Sequence, residues 1–344
     1  MGTATAYVYD PIYLEHDLPS HPENARRLKR IVEVLQDEEL LPRLKSLEPR
    51  PATTEELERV HTSQHIARVQ RQAEAGGGYL DPDTYVSPRS FEAALMAAGG
   101  LVRAVEAVLA GEIVNGFALV RPPGHHATAT RAMGFCLFNN VAVAARAALA
   151  GGKAERVFIA DFDVHHGNGT QDAFANDPAV FYFSSHQYPY YPGTGLWNET
   201  GQGAGKGTLL NAPLPSGVGD AGYAQLFAEL VWPLAERFQP DLILVSAGYD
   251  AHWSDPLAMM NLSLTGYARL GQELVRMAEQ LCAGRILFTL EGGYQLDVLA
   301  YGVLNAFYAM LGEETIADPL GPPPRGERPV SALITRLRGI HNLD

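Results

Sequence analysis

The chain has 344 residues, of which 47% are hydrophobic and 19% are charged, a composition typical of a globular protein with a large buried core. The 26 basic and 39 acidic residues give a formal net charge of −13, which argues against a nucleic-acid binder, because such a protein needs a basic face. Two cysteines cannot form a disulfide framework, and no apolar run approaches the ~18 residues of a membrane span. Because the first residues lack a basic segment followed by an apolar one, we expect a cytoplasmic protein without a signal peptide.

Predicted strands and helices alternate along the chain. The predicted strands cover residues 3–9, 116–120, 156–160, 179–184, 241–247 and 285–290. The predicted helices cover residues 22–35, 64–75, 87–111, 139–150, 219–238, 265–283 and 296–311, followed by a short terminal helix. Pro22 suits the first turn of the first helix, Thr53 and Glu56 form a capping box, and Thr265 is the expected cap of its helix.

This alternation predicts an α/β fold with a mostly parallel sheet and helices on both faces. No internal repeat and no linker divides the core, so we expect residues 1–344 to form a single domain. The Pro/Gly-rich segment 318–329 and the terminal helix are expected to pack on this domain rather than to form another. The glycine-rich segment 76–84 is expected to be a loop.

The stretch RVFIADFDVHHGNGTQ at 156–171 has the strongest functional signal. Its apolar run predicts a strand buried on both faces, and polar groups at the carboxyl ends of parallel strands are where open α/β sheets place their sites. In extended chain, residues two apart share a face, so Asp161, Asp163 and His165 can point the same way. Burying these groups is costly unless a cation compensates their charge.

Three other predicted strands end in unusual polar residues, which predicts a single cleft at one edge of the sheet. Asp250 follows one of them, and together with Asp163 and His165 it would offer a metal two carboxylates and an imidazole. Three protein ligands with one open position are typical of a catalytic zinc site. His125 and His126 follow the stiff sequence Arg-Pro-Pro-Gly and could act as general base and acid.

The remaining candidates would complete such a cleft. Asp161 is the carboxylate left over to hold one of the two histidines. Tyr294 follows two glycines and could donate its hydroxyl to a developing oxyanion. Phe135, which follows Gly134, and Tyr191 lie in loops shaped by glycine and proline, and they could form two walls of a slot for an aliphatic chain.

These residues resemble the histone deacetylase superfamily, which includes the acetylpolyamine amidohydrolases. The matching segments occur in the family's order and extend over nearly the whole chain: HPENARRL at 21–28, RPPGHH at 121–126, GFCLFNN at 134–140, DFDVHHGNGTQ at 161–171, YPGTG at 191–195, SAGYDAH at 246–252 and LEGGY at 290–294. The resemblance implies the arginase/deacetylase fold in one domain and one Zn²⁺ on Asp163, His165 and Asp250. It implies that His125 and His126 are the catalytic pair and that Tyr294 polarises the carbonyl.

The resemblance also implies roles around this centre. Gly134, Phe135 and Tyr191 would line the tunnel, although the family usually has Phe in place of Tyr191. Asn168 stands where one branch of the family has Asp, and together with Glu291 it makes the chain similar to the class II branch. An amide partner should leave His126 less basic than a carboxylate would.

Two further implications concern the rim of the site and a second ion. Asp83 would be a rim acid that binds substrate amides. A structural K⁺ would be held by backbone carbonyls around Asp161, Asp163 and His165, together with Ser184.

The leading hypothesis is a zinc-dependent hydrolase that removes an acetyl or related acyl group from a lysine side chain. Acetylpolyamine hydrolysis is the alternative, but the polyamine-selective branch has Glu after Asp-Pro, where this chain has Leu257. A dimanganese hydrolase of the arginase type needs a second carboxylate where this chain has His252. An inactive interaction module would lack a ligand or the tyrosine, and all are present. The sequence leaves open whether the chain forms a homo-oligomer.

Overall fold

The computed structural model describes residues 4–343, and its centre is a sheet of eight parallel strands. The strands are β1 Thr5–Val8, β2 Lys45–Leu47, β3 Gly78–Asp81, β4 Thr84–Val86, β5 Asn115–Ala118, β6 Val157–Asp161, β7 Val180–Gln187, β8 Leu209–Leu214, β9 Leu242–Ala247 and β10 Ile286–Leu290. The order across the sheet is β2-β1-β5-β10-β9-β6-β7-β8, and β3 and β4 form a separate antiparallel hairpin. The predicted α/β architecture with a parallel sheet is therefore confirmed.

Helices cover both faces of this sheet. They are α1 Arg26–Asp37, α2 Thr54–Glu58, α3 Ser63–Glu74, α4 Ser90–Leu109, α5 Asn140–Ala150, α6 Asn168–Phe174, α7 Asp220–Leu226, α8 Trp232–Phe238, α9 Leu264–Cys282, α10 Leu296–Met310 and α11 Ser331–His341. Helices α4 and α5 pack together over one face, and α1, α10 and α9 pack in succession over the other. No helix among residues 4–343 combines the length and the apolar character that crossing a bilayer requires.

The central strands are largely apolar because both of their faces are covered. Every residue of β5, β6, β9 and β10 is buried, and a strand enclosed on both faces needs no polar side. Register fixes where these strands end: Asp161, the last residue of β6, pairs with Ser246 of β9 and with Ser184 of β7. The loops that follow the central strands therefore leave the sheet at the same edge.

Several sequence-based boundaries differ from the structure. The first helix begins at Arg26 instead of Pro22, and the residues before it form turns whose amides bond to side chains of Asp17 and Asn24. Ser263, not Thr265, caps α9 by accepting from the Gly266 N–H. The Thr265 hydroxyl donates to Asp318 instead.

Other elements were missed or merged in the sequence prediction. Segment 76–84, expected to be a loop, contains β3 and the start of β4. The edge strands β2 and β8 were not predicted, because β2 is short and β8 contains Pro213, which is tolerated mainly at sheet edges. Residues 219–238 form two helices separated by a π-helical turn rather than one helix.

The C-terminal segment lies against the rest of the chain. Ile334 and Leu337 of α11 are buried in the same hydrophobic cluster as the central strands. Arg237 donates to the carbonyl of His341 at 2.8 Å, and Asn261 donates to the carbonyl of Arg325 at 2.9 Å.

Candidate active site

Four adjacent strands place the candidate residues at one edge of the sheet. The segment with the two histidines follows β5, Tyr294 follows β10, Asp250 follows β9, and the DFDVHH motif follows β6. These strands are neighbours in the order β5-β10-β9-β6. Parallel neighbours point their carboxyl ends the same way, so four segments far apart in sequence meet in one pocket.

Asp163, His165 and Asp250 form a buried group of potential metal ligands. The Nδ1 atom of His165 lies 3.2 Å from Asp163 Oδ1 and 3.1 Å from Asp250 Oδ2. Tetrahedral Zn²⁺ with bonds of about 2.0–2.1 Å separates its ligand atoms by roughly 3.3 Å. Both carboxylates are at most 1% exposed, and two buried negative charges need a cation. The donor set, its spacing and its charge therefore fit a divalent metal.

Backbone donors hold the two carboxylates in place. The Gly292 N–H donates to Asp163 Oδ2 at 2.8 Å, and the Val164 N–H donates to Asp250 Oδ1 at 3.0 Å. A Cβ atom at Gly292 would collide with Asp250 and crowd Asp163, so only glycine lets this backbone approach the carboxylates. These contacts orient the ligand atoms before a metal arrives.

The two histidines each have a different partner. The Nδ1–H of His125 donates to Asp161 Oδ2 at 3.0 Å, and the Nδ1–H of His126 donates to Asn168 Oδ1 at 2.8 Å. The ring centroids are 4.0 Å apart, and each residue is 3% exposed. Because both Nδ1 atoms are engaged, the Nε2 atoms remain to face the pocket.

The surroundings of His125 and His126 shift the pKa values of the two imidazoles in opposite directions. Burial alone would lower the pKa of His125, but the carboxylates of Asp161, Asp163 and Glu291 raise this pKa to about 10. Burial, reinforced by the neighbouring positive charge of His125, lowers the pKa of His126 well below its ordinary value. The pair therefore combines a protonated and a neutral imidazole, a division typical of acid and base roles.

Tyr294 lies on a loop fixed from several sides. The Arg27 guanidinium donates to the carbonyls of Gly293 at 2.8 Å and of Glu291 at 2.5 Å, and it stands 5.2 Å from the centre of the Tyr294 ring. Burial, with the nearby charge of Asp250, raises the pKa of Tyr294 well above its ordinary value. The hydroxyl therefore keeps its proton and can act as a donor.

Aromatic side chains form the walls of a pocket of about 370 Å³. Phe135 lies edge-on to Tyr294, with ring centroids 5.9 Å apart, and Tyr191 lies edge-on to His126 at 5.2 Å. Gly134 has φ +55°, and a Cβ there would collide with the His126 ring. Glycine at this position thus brings the Phe135 segment against the His126 ring.

The mouth of the pocket is more exposed than its base. Leu257 and Asp83 both line the pocket, and Tyr191 is 37% exposed. The β3–β4 hairpin delivers Asp83, and the next hydroxyl along it, that of Thr84, accepts from the Phe135 N–H at 3.1 Å. Asp161 and Asn168 do not line the pocket but stand behind the histidines they hold. The structure therefore brings all the sequence-predicted site residues to this pocket or to the groups directly behind it.

Glu291 was assigned no role from the sequence, yet it lies directly behind the site. Its Oε2 accepts from the N–H groups of Gly124 at 2.7 Å and His125 at 3.2 Å, and its Oε1 accepts from Ser246 at 3.0 Å. Burial raises its pKa to about 7. A glutamate at the end of an apolar strand, directly before Gly-Gly-Tyr, was the signal that could have identified it.

Glu291 also belongs, with His125 and Cys136, to the second group of potential ligands found among residues 4–343. The Cys136 thiol donates to the carbonyl of Gly134 at 3.3 Å. The other two members already bond to Asp161 and to backbone donors. Protein groups thus satisfy this second group without a metal.

A larger surface cleft, of about 1040 Å³, lies near the first turn and α4, where Ile12, Leu95 and Met96 are part of its lining. Charged residues line it too, namely Asp10, Glu15, Arg89 and Glu92, but neither group of potential metal ligands found among residues 4–343 lies there. Convergent chemistry, rather than size, therefore marks the functional site.

Comparisons with known proteins agree with this geometry. A family model described as "Histone deacetylase domain" matches residues 21–310. The chain is 41% identical to "Histone deacetylase 14, chloroplastic" of Arabidopsis thaliana, over 96% of this chain and 83% of that protein. It is 42% identical to a "Probable deacetylase" of Archaeoglobus fulgidus, over 90% of this chain and 86% of that protein.

A solved structure resembles the fold described above. The structure titled "Crystal Structure of HDA15 HD domain" superposes with a TM-score of 0.90 at 38% identity, covering 98% of this chain and 94% of that one. The family model and these relatives identify a hydrolytic deacetylase, and the solved structure confirms its α/β fold. The chain belongs to the histone deacetylase family, as the resemblance of its motifs predicted.

Proposed function

We propose that this chain is a zinc-dependent deacetylase that hydrolyses the amide bond of N-acetyl-lysine or a related acyl-lysine. The observation that supports this most directly is the buried group of Asp163, His165 and Asp250, with its donor atoms 3.1–3.2 Å apart beside two histidines of opposite protonation. When bound, Zn²⁺ supplies Lewis-acid polarisation of the acyl carbonyl and lowers the pKa of a coordinated water.

The protein side chains would perform the proton transfers. The neutral His126 accepts the proton of the attacking water at Nε2 and later gives a proton to the leaving amine. His125, held protonated by Asp161 at 3.0 Å, contributes a fixed positive charge beside the developing negative charge. Tyr294 keeps its proton and donates a hydrogen bond from its hydroxyl to the oxyanion of the tetrahedral intermediate.

The substrate chain would lie between Phe135 and Tyr191, whose aromatic walls suit the four methylenes of a lysine side chain. Asp83 at the mouth would accept hydrogen bonds from the substrate's backbone amides. Leu257 lines the same mouth and offers no charge to a second ammonium group, which favours acyl-lysine. Acetylpolyamine hydrolysis stays the alternative, since the net charge of −13 suits a polycationic substrate.

The proposal is tested by assaying one purified preparation with acyl-lysine peptides of several acyl lengths and with acetylated polyamines, alongside metal analysis. We expect about one zinc ion per chain, loss of activity when the ion is chelated, and faster turnover of acetyl-lysine peptides than of acetylpolyamines. Two manganese ions per chain, or full activity without metal, would contradict the zinc assignment. Turnover of acetylpolyamines far above that of every peptide would reverse the order of the two substrates.

Three other expectations stay predictions: a structural K⁺ near Asp161 and Ser184, a cytoplasmic location, and the possibility of a homo-oligomer. For the first, the Ser184 hydroxyl is fully buried and lies 2.9 Å from His186 Nδ1. Metal analysis for potassium, with dialysis against sodium as the control, tests that site separately from zinc.

A further inference from the structure

A buried carboxylate, that of Asp255, connects two walls of the pocket without lining it. Asp255 is 6% exposed. Its Oδ2 accepts from the N–H groups of Tyr294 at 2.8 Å and Gln295 at 3.3 Å, and its Oδ1 accepts from the N–H of Leu257 at 2.9 Å. Each oxygen thus serves a different segment: one holds the tyrosine loop and the other holds the mouth of the pocket.

Asp255 holds the tyrosine loop, residues 291–295, at Tyr294 itself. Arg27 binds the carbonyls of Glu291 and Gly293, and Asp163 accepts from the N–H of Gly292. Those contacts fix the loop up to Gly293, whose φ of +115° is a conformation that suits glycine. Asp255 then fixes the backbone of Tyr294 itself, just beyond this point.

The other oxygen, Oδ1 of Asp255, links Leu257 indirectly to the metal-ligand group. The carbonyl of Leu257 accepts from the Tyr190 hydroxyl at 2.6 Å, and the Tyr190 ring stacks on that of His165, with centroids 5.7 Å apart. A series of contacts therefore runs from Tyr294 through Asp255, Leu257 and Tyr190 to the metal-ligand group. Tyr190 was not identified from the sequence, where only its neighbour Tyr191 was assigned a wall.

We propose that Asp255 is a positioning residue, whose carboxylate sets the distance between the Tyr294 hydroxyl and the reacting carbonyl while it holds Leu257 at the mouth. The inference rests on the proposed function, because it gives Tyr294 the oxyanion role. Removing the carboxylate leaves three backbone donors without their acceptor. It also removes one of the two hydrogen bonds on the peptide that joins Gly293 to Tyr294, so the Tyr294 ring is held less firmly. A misplacement of about 1 Å is enough to cost on the order of 10²-fold in rate.

A double-mutant cycle tests this proposal. Asp255→Ala is made in the wild-type chain and in the Tyr294→Phe chain, and kcat is measured on one acetyl-lysine peptide at equal zinc content. In the wild-type chain we expect kcat to fall by roughly 10- to 100-fold. In the Tyr294→Phe chain the same substitution should lower kcat by no more than about twofold, because the hydroxyl that Asp255 positions is already absent.

Asp318→Ala is the matched control. Asp318 also uses both oxygens, accepting from the N–H and hydroxyl of Thr265 and from the N–H of Gly321, but it does not line the pocket or contact its walls. The Asp318→Ala substitution should lower the midpoint of thermal unfolding and leave kcat unchanged.

The possible outcomes separate the two proposals. Equal losses of kcat in both backgrounds, or no loss from Asp255→Ala, would overturn the positioning role of Asp255 and leave that of Tyr294 intact. Full turnover by Tyr294→Phe alone would remove the oxyanion role and the positioning role with it. If Asp255→Ala does not fold, Asp255→Asn replaces it, because this variant keeps one acceptor oxygen. The same result is then expected: a smaller loss of kcat in the Tyr294→Phe chain than in the wild-type chain.

Discussion

Two of the close pairs of buried histidines in the described part of the chain differ in their hydrogen-bond partners and in their pKa values. His125 and His126 bond to the side chains of Asp161 and Asn168 and face the pocket. In the second pair, the Nδ1–H of His61 donates to the carbonyl of Thr128 at 2.9 Å, while its Nε2 accepts from the Asn139 N–H at 2.9 Å. His65 donates to the carbonyl of Leu137 at 2.8 Å.

The partners account for the difference. Carboxylates around His125 raise its pKa to about 10, whereas burial, with the nearby charge of His65, lowers the pKa of His61 to about 3. The second pair holds both ends of the segment 128–139, which includes Phe135. Under the proposed function, His126 of the first pair exchanges protons with the substrate, whereas the second pair braces the loop that includes Phe135.

The largest expected effect follows from removing a group that touches the reacting atoms. Tyr294→Phe should lower kcat by roughly 10²–10³-fold, because one oxyanion donor is lost, and His126→Ala should be similar or worse. Both variants should keep about one zinc per chain, since neither side chain belongs to the ligand group. Steady-state kinetics with metal analysis measures both quantities, and near-full turnover by Tyr294→Phe would remove the tyrosine from the mechanism.

A substitution in the second pair should act on stability instead. The pKa of His61 is about 3 in the folded chain against an ordinary value of 6.5, so the unfolded chain binds more protons between these pH values. The stabilisation from the neutral ring is therefore complete above pH 6.5 and is lost as the pH falls toward 3. His61→Gln should reduce the slope of unfolding free energy against pH by about 1.4 kcal/mol per pH unit in this window.

Denaturant unfolding at a series of pH values between 4 and 7 measures that slope, with kcat at neutral pH as the accompanying control. We expect kcat to stay within a fewfold of wild type, because His61 does not reach the pocket. A loss of kcat as large as that of His126→Ala would mean that the two pairs are not functionally distinct.

The smallest expected effect concerns Leu257 at the mouth of the pocket. Leu257→Glu would place a carboxylate where a distal ammonium of a polyamine emerges, an exposed interaction worth on the order of 1 kcal/mol. The ratio of kcat/KM for acetylspermidine to that for an acetyl-lysine peptide should rise about five- to tenfold, and the gain should shrink with added salt. Leu257→Gln is the uncharged control, and an equal gain for it would exclude the electrostatic explanation.

The sequence by itself determined the architecture and the chemically unusual residues of the site. Apolar runs alternating with helical patterns predicted the parallel sheet, because strands buried on both faces have no polar side. Asp161, Asp163 and His165 were identifiable because period-two spacing after such a strand puts three ionisable groups at its carboxyl end. These signals come from residues that are close together in the sequence, so the sequence alone reveals them.

Tertiary structure alone decided how the segments support one another. Asp255 meets Tyr294 across 39 positions of the chain, and Glu291 meets Gly124 across 167. No spacing in the sequence predicts such contacts, because they form only after the sheet has brought the loops that follow its strands close together. The same holds for the two histidine pairs: which one reaches the pocket and which one braces a loop follows from the partners that packing supplies.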